Sequence, residues 1–245
     1  MVEYDPFAYE TQQDPYPIYK QLRDEAPAYY NERLGFWALS RYDDVRDALI
    51  DHDTYCSGRG FLLEDIDEVG LPMVLGMDPP DHTRVRGTVN RTLTPARVAA
   101  LEKPIRDLAK DLVAAFAHRG NADIIGDFAG ILPMAVISEM LGVPKADRAR
   151  LRTWADEMVH RDDSQKRLPA KGLKAGAKIV GYFEEMLAQR SPSAEGDLMS
   201  LLLDCKEHGD LNHQELLGYC FLLIIAGNET TTKLIGNMVY RLGAH

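Results

Sequence analysis

Two stretches of this 245-residue sequence carry residue types that can do chemistry at spacings that bring them together. The first is Met77-Asp-Pro-Pro-Asp-His-Thr-Arg-Val-Arg86. Asp78 reads as a helix N-cap, Pro79 as the first helical residue and Asp81 as a favourable first-turn acid. His82 and Arg86 then stand four apart on one helix face. Such a pair can grip a carboxylate or another anion, the arginine through two oxygens at once. A hydrogen bond to a charged group contributes about 1.5–3 kcal/mol. On spacing alone, a solvated helix with Asp81 paired to Arg84 is the simpler reading. The second stretch is Leu222-Leu-Ile-Ile-Ala-Gly-Asn-Glu-Thr-Thr-Thr232, a strongly apolar helix interrupted by an amide, an acid and three alcohols. Glu229 is costly to bury unpaired, and three β-branched residues in a row are poor helix formers. Thr230 can bond back to the Ala226 carbonyl, and Gly227 admits a close approach to the backbone. Leu222, Ile225, Ala226, Glu229 and Thr230 share one face. A polar turn that simply meets solvent fits this pattern equally well.

Other candidates carry less. Glu157-Met-Val-His160 has the spacing of carboxylate-bridged di-iron bundles, which need a second such pair, and no second Glu-x-x-His exists. His208 and His213 flank a polar turn and read as solvated. Ser57-Gly-Arg-Gly60 matches no phosphate-loop pattern, and there is no GxSxG elbow. Cys56, Cys205 and Cys220 are far apart and form neither a CxxC pair nor a disulfide framework. They read as reduced thiols.

Positioning these residues falls mostly to helices. Pro15-Tyr-Pro17 opens a helix through Ile18 and Leu22. Ala28–Tyr30 and Phe36–Leu39 are aromatic-rich strand pieces joined by a turn, a small hairpin. Thr94-Pro95 caps a helix with apolar steps at Val98, Leu101, Ile105, Leu108, Leu112 and Phe116, which Pro104 bends or splits. Leu132–Leu141 is a short helix stopped by Gly142 and Pro144. Another helix follows with Leu151, Trp154, Ala155 and Met158 on one side. Lys174–Leu187 is amphipathic, Arg190–Gly196 is a loop, and Asn212 caps the last helix. Irregular sequence from Ser57 to Pro80 separates the β-rich start from the helices. The fold expected is mainly α with a small β-sheet near the N-terminus, one domain over 1–245.

The chain is acidic, with 28 Lys plus Arg against 38 Asp plus Glu and a formal charge of -10. That argues against general nucleic-acid binding. The longest apolar-rich run, Leu216–Gly227, is shorter than the roughly 18–20 residues that span a bilayer. No signal peptide is evident. The expectation is a soluble cytoplasmic protein with no nucleic-acid or membrane partner.

Four stretches, in this order, resemble the soluble bacterial cytochrome P450 family of haem-thiolate monooxygenases. Trp37–Val45 is similar to the family's early strand running into a helix. Asp78–Arg86 resembles the segment whose His and second Arg hold a haem propionate. Leu132-Pro133 through Leu141–Pro144 resembles a mid-chain helix and its exit. Ala226-Gly-Asn-Glu-Thr-Thr231 resembles the oxygen-binding groove of the long central helix. The resemblance implies haem b, with His82 and Arg86 on a propionate and Ala226 and Gly227 leaving room beside it. It implies Thr230 as the hydrogen-bonding alcohol for dioxygen and Glu229 as its link to solvent protons. It implies a hydrophobic small-molecule substrate, in a pocket drawn from Phe61, Leu62, Leu63, Met73, Val74, Leu75, Met158, Val159, Leu222 and Ile225. A ferredoxin-type electron donor is implied as well. The family's Glu-x-x-Arg pair and Phe-x-x-Gly-x-x-x-Cys-x-Gly loop do not occur in this sequence, so the axial cysteine is missing. The expectation is the N-terminal portion of such an enzyme, ending in or just after the central helix and inactive alone. Alternatives are a helical remnant or partner-binding fragment without haem, and a carboxylate-bridged metalloprotein. A chain of this kind would expose the apolar face Leu222–Ile225 and be poorly soluble or molten.

Overall fold

The computed structural model describes residues 2–63, 70–160, 169–193 and 197–244. It opens with α1 (Tyr9–Gln13) and α2 (Tyr16–Glu25), which buries only Leu22. Strands β1 (Ala28–Asn31) and β2 (Phe36–Leu39) pair antiparallel, with Tyr30 opposite Trp37. The turn between them uses Gly35 at φ 72°, a left-handed value that suits a residue without Cβ. The Asn31 side chain braces it by accepting from the Leu34 N–H at 2.8 Å. Helix α3 (Tyr42–Ile50) follows, with no fully buried residue.

The helical body then begins at α4 (Asp81–Thr92) and continues through α5 (Pro95–Ala100) and α6 (Glu102–Ala117). Thr94 caps α5 by accepting from the Arg97 N–H. The split expected from Pro104 falls earlier, at Leu101. Pro104 sits in the first turn of α6, where its missing N–H has no intrahelical partner to lose. The apolar face of α5 and α6 is only half-buried, and Val98 is exposed. A π-helical turn (Ile125–Ala129) leads to α7 (Leu132–Met140), which ends at Gly142 with φ 66°. Then come α8 (Lys145–Val159), α9 (Ala170–Ala188), α10 (Leu198–Glu207) and the 32-residue α11 (His213–Ala244). The sequence-predicted loop Arg190–Gly196 is partly outside the described residues, which omit 194–196.

The core lies where α7, α8, α9 and α10 pack on α11. Met134, Leu151, Ile179, Phe183, Met199, Leu202, Leu216, Leu217 and Ile224 are all fully buried there. The helical and apolar patterning therefore finds the expected fold, an α body with one hairpin. The expectation of an exposed Leu222–Ile225 face needs correction. Ile224 is buried, and Leu222, Leu223 and Ile225 are half-buried against the core. The exposed apolar side chains sit further along α11, at Leu234, Met238 and Leu242.

The irregular segment before α4 crosses α11 at Gly218, where any side chain would drive into the Pro72 carbonyl. Gly181, inside α9, meets nothing within 4 Å. The two glycines predict opposite outcomes. Gly218→Ala is expected to lower the melting temperature and expose residues 70–77 to protease. Gly181→Ala is expected to raise stability by about 0.5–1 kcal/mol, the cost of a helical glycine relative to alanine. Thermal melts and limited proteolysis of the two variants check this.

Candidate functional site

Helix α4 starts at Asp81, with Pro80 flanking it and no side chain capping it. The expected cap, Asp78, does something else. Its carboxylate accepts the backbone N–H of Ser57 at 2.6 Å and of Gly58 at 2.9 Å. Those bonds hold its pKa below the usual carboxylate range. A pair of N–H donors from the preceding loop outcompetes the local helix terminus, and ties that loop to the start of α4.

The cations of α4 divide into two sets. Arg84 is saturated. Its guanidinium donates to Glu215 Oε1 at 2.6 Å and Oε2 at 3.1 Å, to Asp81 at 3.1 Å and to the Asp210 carbonyl at 3.1 Å. Arg91 donates to Asp210 Oδ2 at 2.7 Å. The Asp81–Arg84 pair expected from spacing is present, within a larger network. The side chains of His82 and Arg86, in contrast, have no hydrogen-bond or ion-pair partner among the described residues. His82 is half-buried and Arg86 exposed.

Glu215 is 5% exposed and joins two structures at once. It forms a capping box with Asn212: Glu215 N–H donates to Asn212 Oδ1 at 2.9 Å, and Asn212 N–H donates to Glu215 Oε2 at 2.8 Å. The same carboxylate grips Arg84 from α4. Chiefly because of Arg84, its pKa lies below the ordinary range despite burial. One turn further, buried Tyr219 lies close enough to Arg86 for the cation to oppose the burial that raises its phenol pKa. The free cation of α4 thus faces the first third of α11.

Along α11 the interrupted stretch remains helical throughout. Thr230 Oγ1 donates to the Ala226 carbonyl at 2.8 Å, the back-bond expected from sequence. Ala226 and Thr230 are exposed on one face, continuing the line of Tyr219 and Leu222. At 1.5 Å per residue, Ala226 stands about 10 Å and Thr230 about 16 Å along the axis from Tyr219. Glu229, at the edge of that face, is half-buried and ion-paired with Lys233. Gly227 points elsewhere, against Ile137 of α7, where its lack of a side chain lets the two helices approach. Asn228 is buried toward α8, and Thr232 donates to the Ala129 carbonyl at 3.0 Å.

The residues expected to line a pocket divide similarly. Val74 and Met158 belong to the buried core, with Met73, Leu222 and Ile225 packed against it. Phe61 and Val159 are half-buried, and Leu62, Leu63 and Leu75 are exposed. Phe61 packs beside Gly76. A mostly apolar cleft of about 230 Å³ bounded by Leu93, Leu101, Met140 and Leu198 contains none of these residues. One further expectation is corrected. His213 is not simply solvated, because its Nε2 lies 2.9 Å from Glu184 Oε2. Glu157 is engaged by Lys171 at 3.1 Å. Among the described residues, no three His, Cys, Asp or Glu side chains converge as a metal site. None of the described helices alone is long and apolar enough to cross a membrane.

No family model matches the chain. Its relatives are nonetheless clear. It is 39% identical to cytochrome P450 109 of Bacillus spizizenii, over 92% of this chain and 55% of that protein. It is 37% identical to a vitamin D(3) 25-hydroxylase of Pseudonocardia autotrophica, over 99% of this chain and 61% of that one. The crystal structure of CYP109E1 from Bacillus megaterium with testosterone superimposes with a TM-score of 0.83 at 30% identity, over 96% of this chain and 62% of that chain. The class of protein these comparisons define is the cytochromes P450, and the solved relative shares the fold of this chain. The chain belongs to the bacterial cytochrome P450 family, and it spans about three-fifths of the length of these relatives.

Sequence reasoning found the free pair and the interrupted helix but missed Glu215, Arg84's role and Tyr219. Asn212-x-x-Glu215 was a visible capping-box signal. The reach of Glu215 to a residue 131 positions away was not. Glu215→Gln is expected to cost about 1–3 kcal/mol at neutral pH, within the range for a charge-assisted hydrogen bond with one exposed partner. Because the folded pKa is lowered, that contribution is full above the ordinary glutamate range and disappears as pH falls through the folded value. Denaturant melts of both proteins from neutral pH into acid check the size and its convergence.

Proposed function

We propose that this chain forms the propionate-gripping and oxygen-facing side of a haem-dependent monooxygenase that oxidises a hydrophobic small molecule. The observation that carries this is the contrast within α4. Every other arginine of the helix is engaged by a carboxylate, while the His82 and Arg86 side chains have no hydrogen-bond or ion-pair partner among the described residues. This donor set fits a propionate: a ring N–H and a fork of guanidinium N–H groups on one helix face. The open Ala226–Thr230 face fits the planar group's other flank. The three cysteines do not fit the axial position as well. Burial pushes the Cys220 thiol up to about 12, and it raises Cys205 too. Both are held as thiols, whereas a ligand must be a thiolate. Cys56 is exposed and lacks the upstream residues of the family's loop.

When bound, haem with a cysteine thiolate supplies the activation of dioxygen. The chain's own residues bind, orient and move protons. His82 and Arg86 would hold the cofactor by a propionate. Ala226, by its small size, leaves space on the α11 face, and Gly227 lets that helix seat tightly on α7. Thr230 Oγ1 is a hydrogen-bonding alcohol on that face, already oriented by the Ala226 carbonyl. Glu229, next to it and at the rim, supplies protons from solvent. Phe61, Leu62, Leu63, Leu75 and Leu222 offer apolar contact for the substrate, with Met73, Val74, Met158, Val159 and Ile225 behind them. A bulky apolar substrate agrees with the names of two relatives, a vitamin D(3) hydroxylase and a testosterone complex. Electrons come from a ferredoxin-type donor, and the setting is the cytoplasm.

Two experiments test this reading. Haemin added to the 245-residue chain, reduced and exposed to CO, is expected to give no thiolate-shifted Soret band. The appearance of that band would place the ligand among Cys56, Cys205 and Cys220. In the holoenzyme made from the complete reading frame containing this sequence, Thr230→Ala is expected to keep haem. Product formed per electron is expected to fall about tenfold or more, a floor set below the roughly 10²–10⁴-fold that a positioned proton donor typically contributes. Unchanged coupling would remove Thr230 from the proton path.

A further inference from the structure

Among the described residues, Asn228 Oδ1 is a buried side-chain oxygen with no hydrogen-bond partner. The residue is 3% exposed. Its amide nitrogen faces α8 and donates to Asp156 Oδ1 at 3.5 Å. Asp156 stands at the rim, with more than half of its side chain in solvent and Arg152 Nε 3.7 Å away. Glu229 follows Asn228 in sequence and precedes Thr230. An acid at the solvent edge, an amide with an open acceptor and the acid of the oxygen-facing turn therefore stand in succession. Leaving a buried amide oxygen unpaired is costly, and native proteins meet such groups with ordered water.

We propose that Asp156 is the solvent-side acid of a proton path that runs through a water held on Asn228 Oδ1 to Glu229 and then Thr230. This rests on the reading of α11 as the oxygen-facing helix. Protonated Asp156 gives its proton to the water, and the water gives one to the Glu229 carboxylate. Glu229 passes a proton to Thr230 Oγ1 as the hydroxyl gives its own to an acceptor oxygen on the open face. Bulk water reprotonates Asp156. Each O–H bond broken is matched by one formed, so one proton moves inward and no electrons move.

The groups around Asp156 suit the task. Burial raises its pKa above the ordinary aspartate value, and the nearby Glu229 charge adds to the rise. Arg152, on its own helix, opposes this by more than Glu229 adds, and the Asn228 amide lowers it a little further, so burial decides the direction. That guanidinium also reaches the Ile125 carbonyl at 3.5 Å. Of the neighbouring cations, Lys233 is engaged by Glu229 and Lys171 of α9 by Glu157. Asp156 is thus kept closer to protonation than an ordinary surface carboxylate, while remaining open to solvent.

One test needs no haem. Carboxyl NMR titration of the chain is expected to show Asp156 titrating above the ordinary aspartate range, and lower in Glu229→Gln. An Asp156 pKa that Glu229→Gln leaves in place would break the link between the two acids and overturn the proposal. In the holoenzyme, Asp156→Asn is expected to lower product per electron about tenfold, enlarge the solvent isotope effect and flatten the pH profile. Haem content and melting temperature stay at wild-type values, and Asp156→Glu restores coupling. Asn228→Leu is expected to reproduce the loss. Wild-type coupling and pH profile in Asp156→Asn, beside an uncoupled Thr230→Ala, would overturn this inference alone. Wild-type coupling in both variants would overturn the oxygen-helix reading together with it.

Discussion

The grip of Arg84 on Glu215 sets the relation between the two helices that matter. Two charge-assisted bonds converge on a carboxylate that is almost out of solvent, and the same carboxylate caps the helix it belongs to. A shift of α4 against α11 would therefore break the interhelical pair and loosen the first turn of α11 together. Burying a carboxylate is expensive, and this one is tolerated because both oxygens are satisfied. The consequence reaches beyond the pair itself. With Arg84 committed, the next cation on α4, Arg86, has no ion-pair partner among the described residues and is carried to the side of Tyr219. The spacing of four that joins His82 to Arg86 completes the pair.

A second constraint acts within a single turn of α11. Five successive residues meet different surroundings. Ala226 and Thr230 look outward, Gly227 meets α7, Asn228 meets α8, and Glu229 sits at the rim with Lys233. That explains a sequence that is poor by helix propensity alone. The glycine suits the close approach of Ile137, and the amide the polar contact to α8. Thr232 is satisfied by the Ala129 carbonyl from the π-helical turn. Local rules are broken where neighbouring helices and the open face impose separate demands.

Much of this was legible from the chain itself. The hairpin, the helix stops at Gly142 and the caps at Thr94 and Asn212 are written in local residue types, because each depends on bonds within a few residues. The His82/Arg86 pair and the Thr230 back-bond were legible for the same reason. The misreadings share one cause. Asp78 has the right type for a cap, but its partners lie 20 and 21 residues earlier. His213 has the right surroundings for a solvated turn, but Glu184 reaches it from α9. Leu222–Ile225 looked exposed because the later part of the family's chain was expected to cover it, whereas this chain's own core does so. Glu215 and Asp156 act through residues 131 and 72 positions away, a reach that spacing does not encode.

The most direct test of the central claim is a crystal structure of the haem-bound protein at a resolution that orients the propionates. The expected result has one propionate accepting hydrogen bonds from His82 and Arg86, Arg84 still on Glu215, and Thr230 on the face of the porphyrin. A propionate bound by Arg84, or a porphyrin seated away from α4 and the Ala226–Thr230 turn, would contradict it.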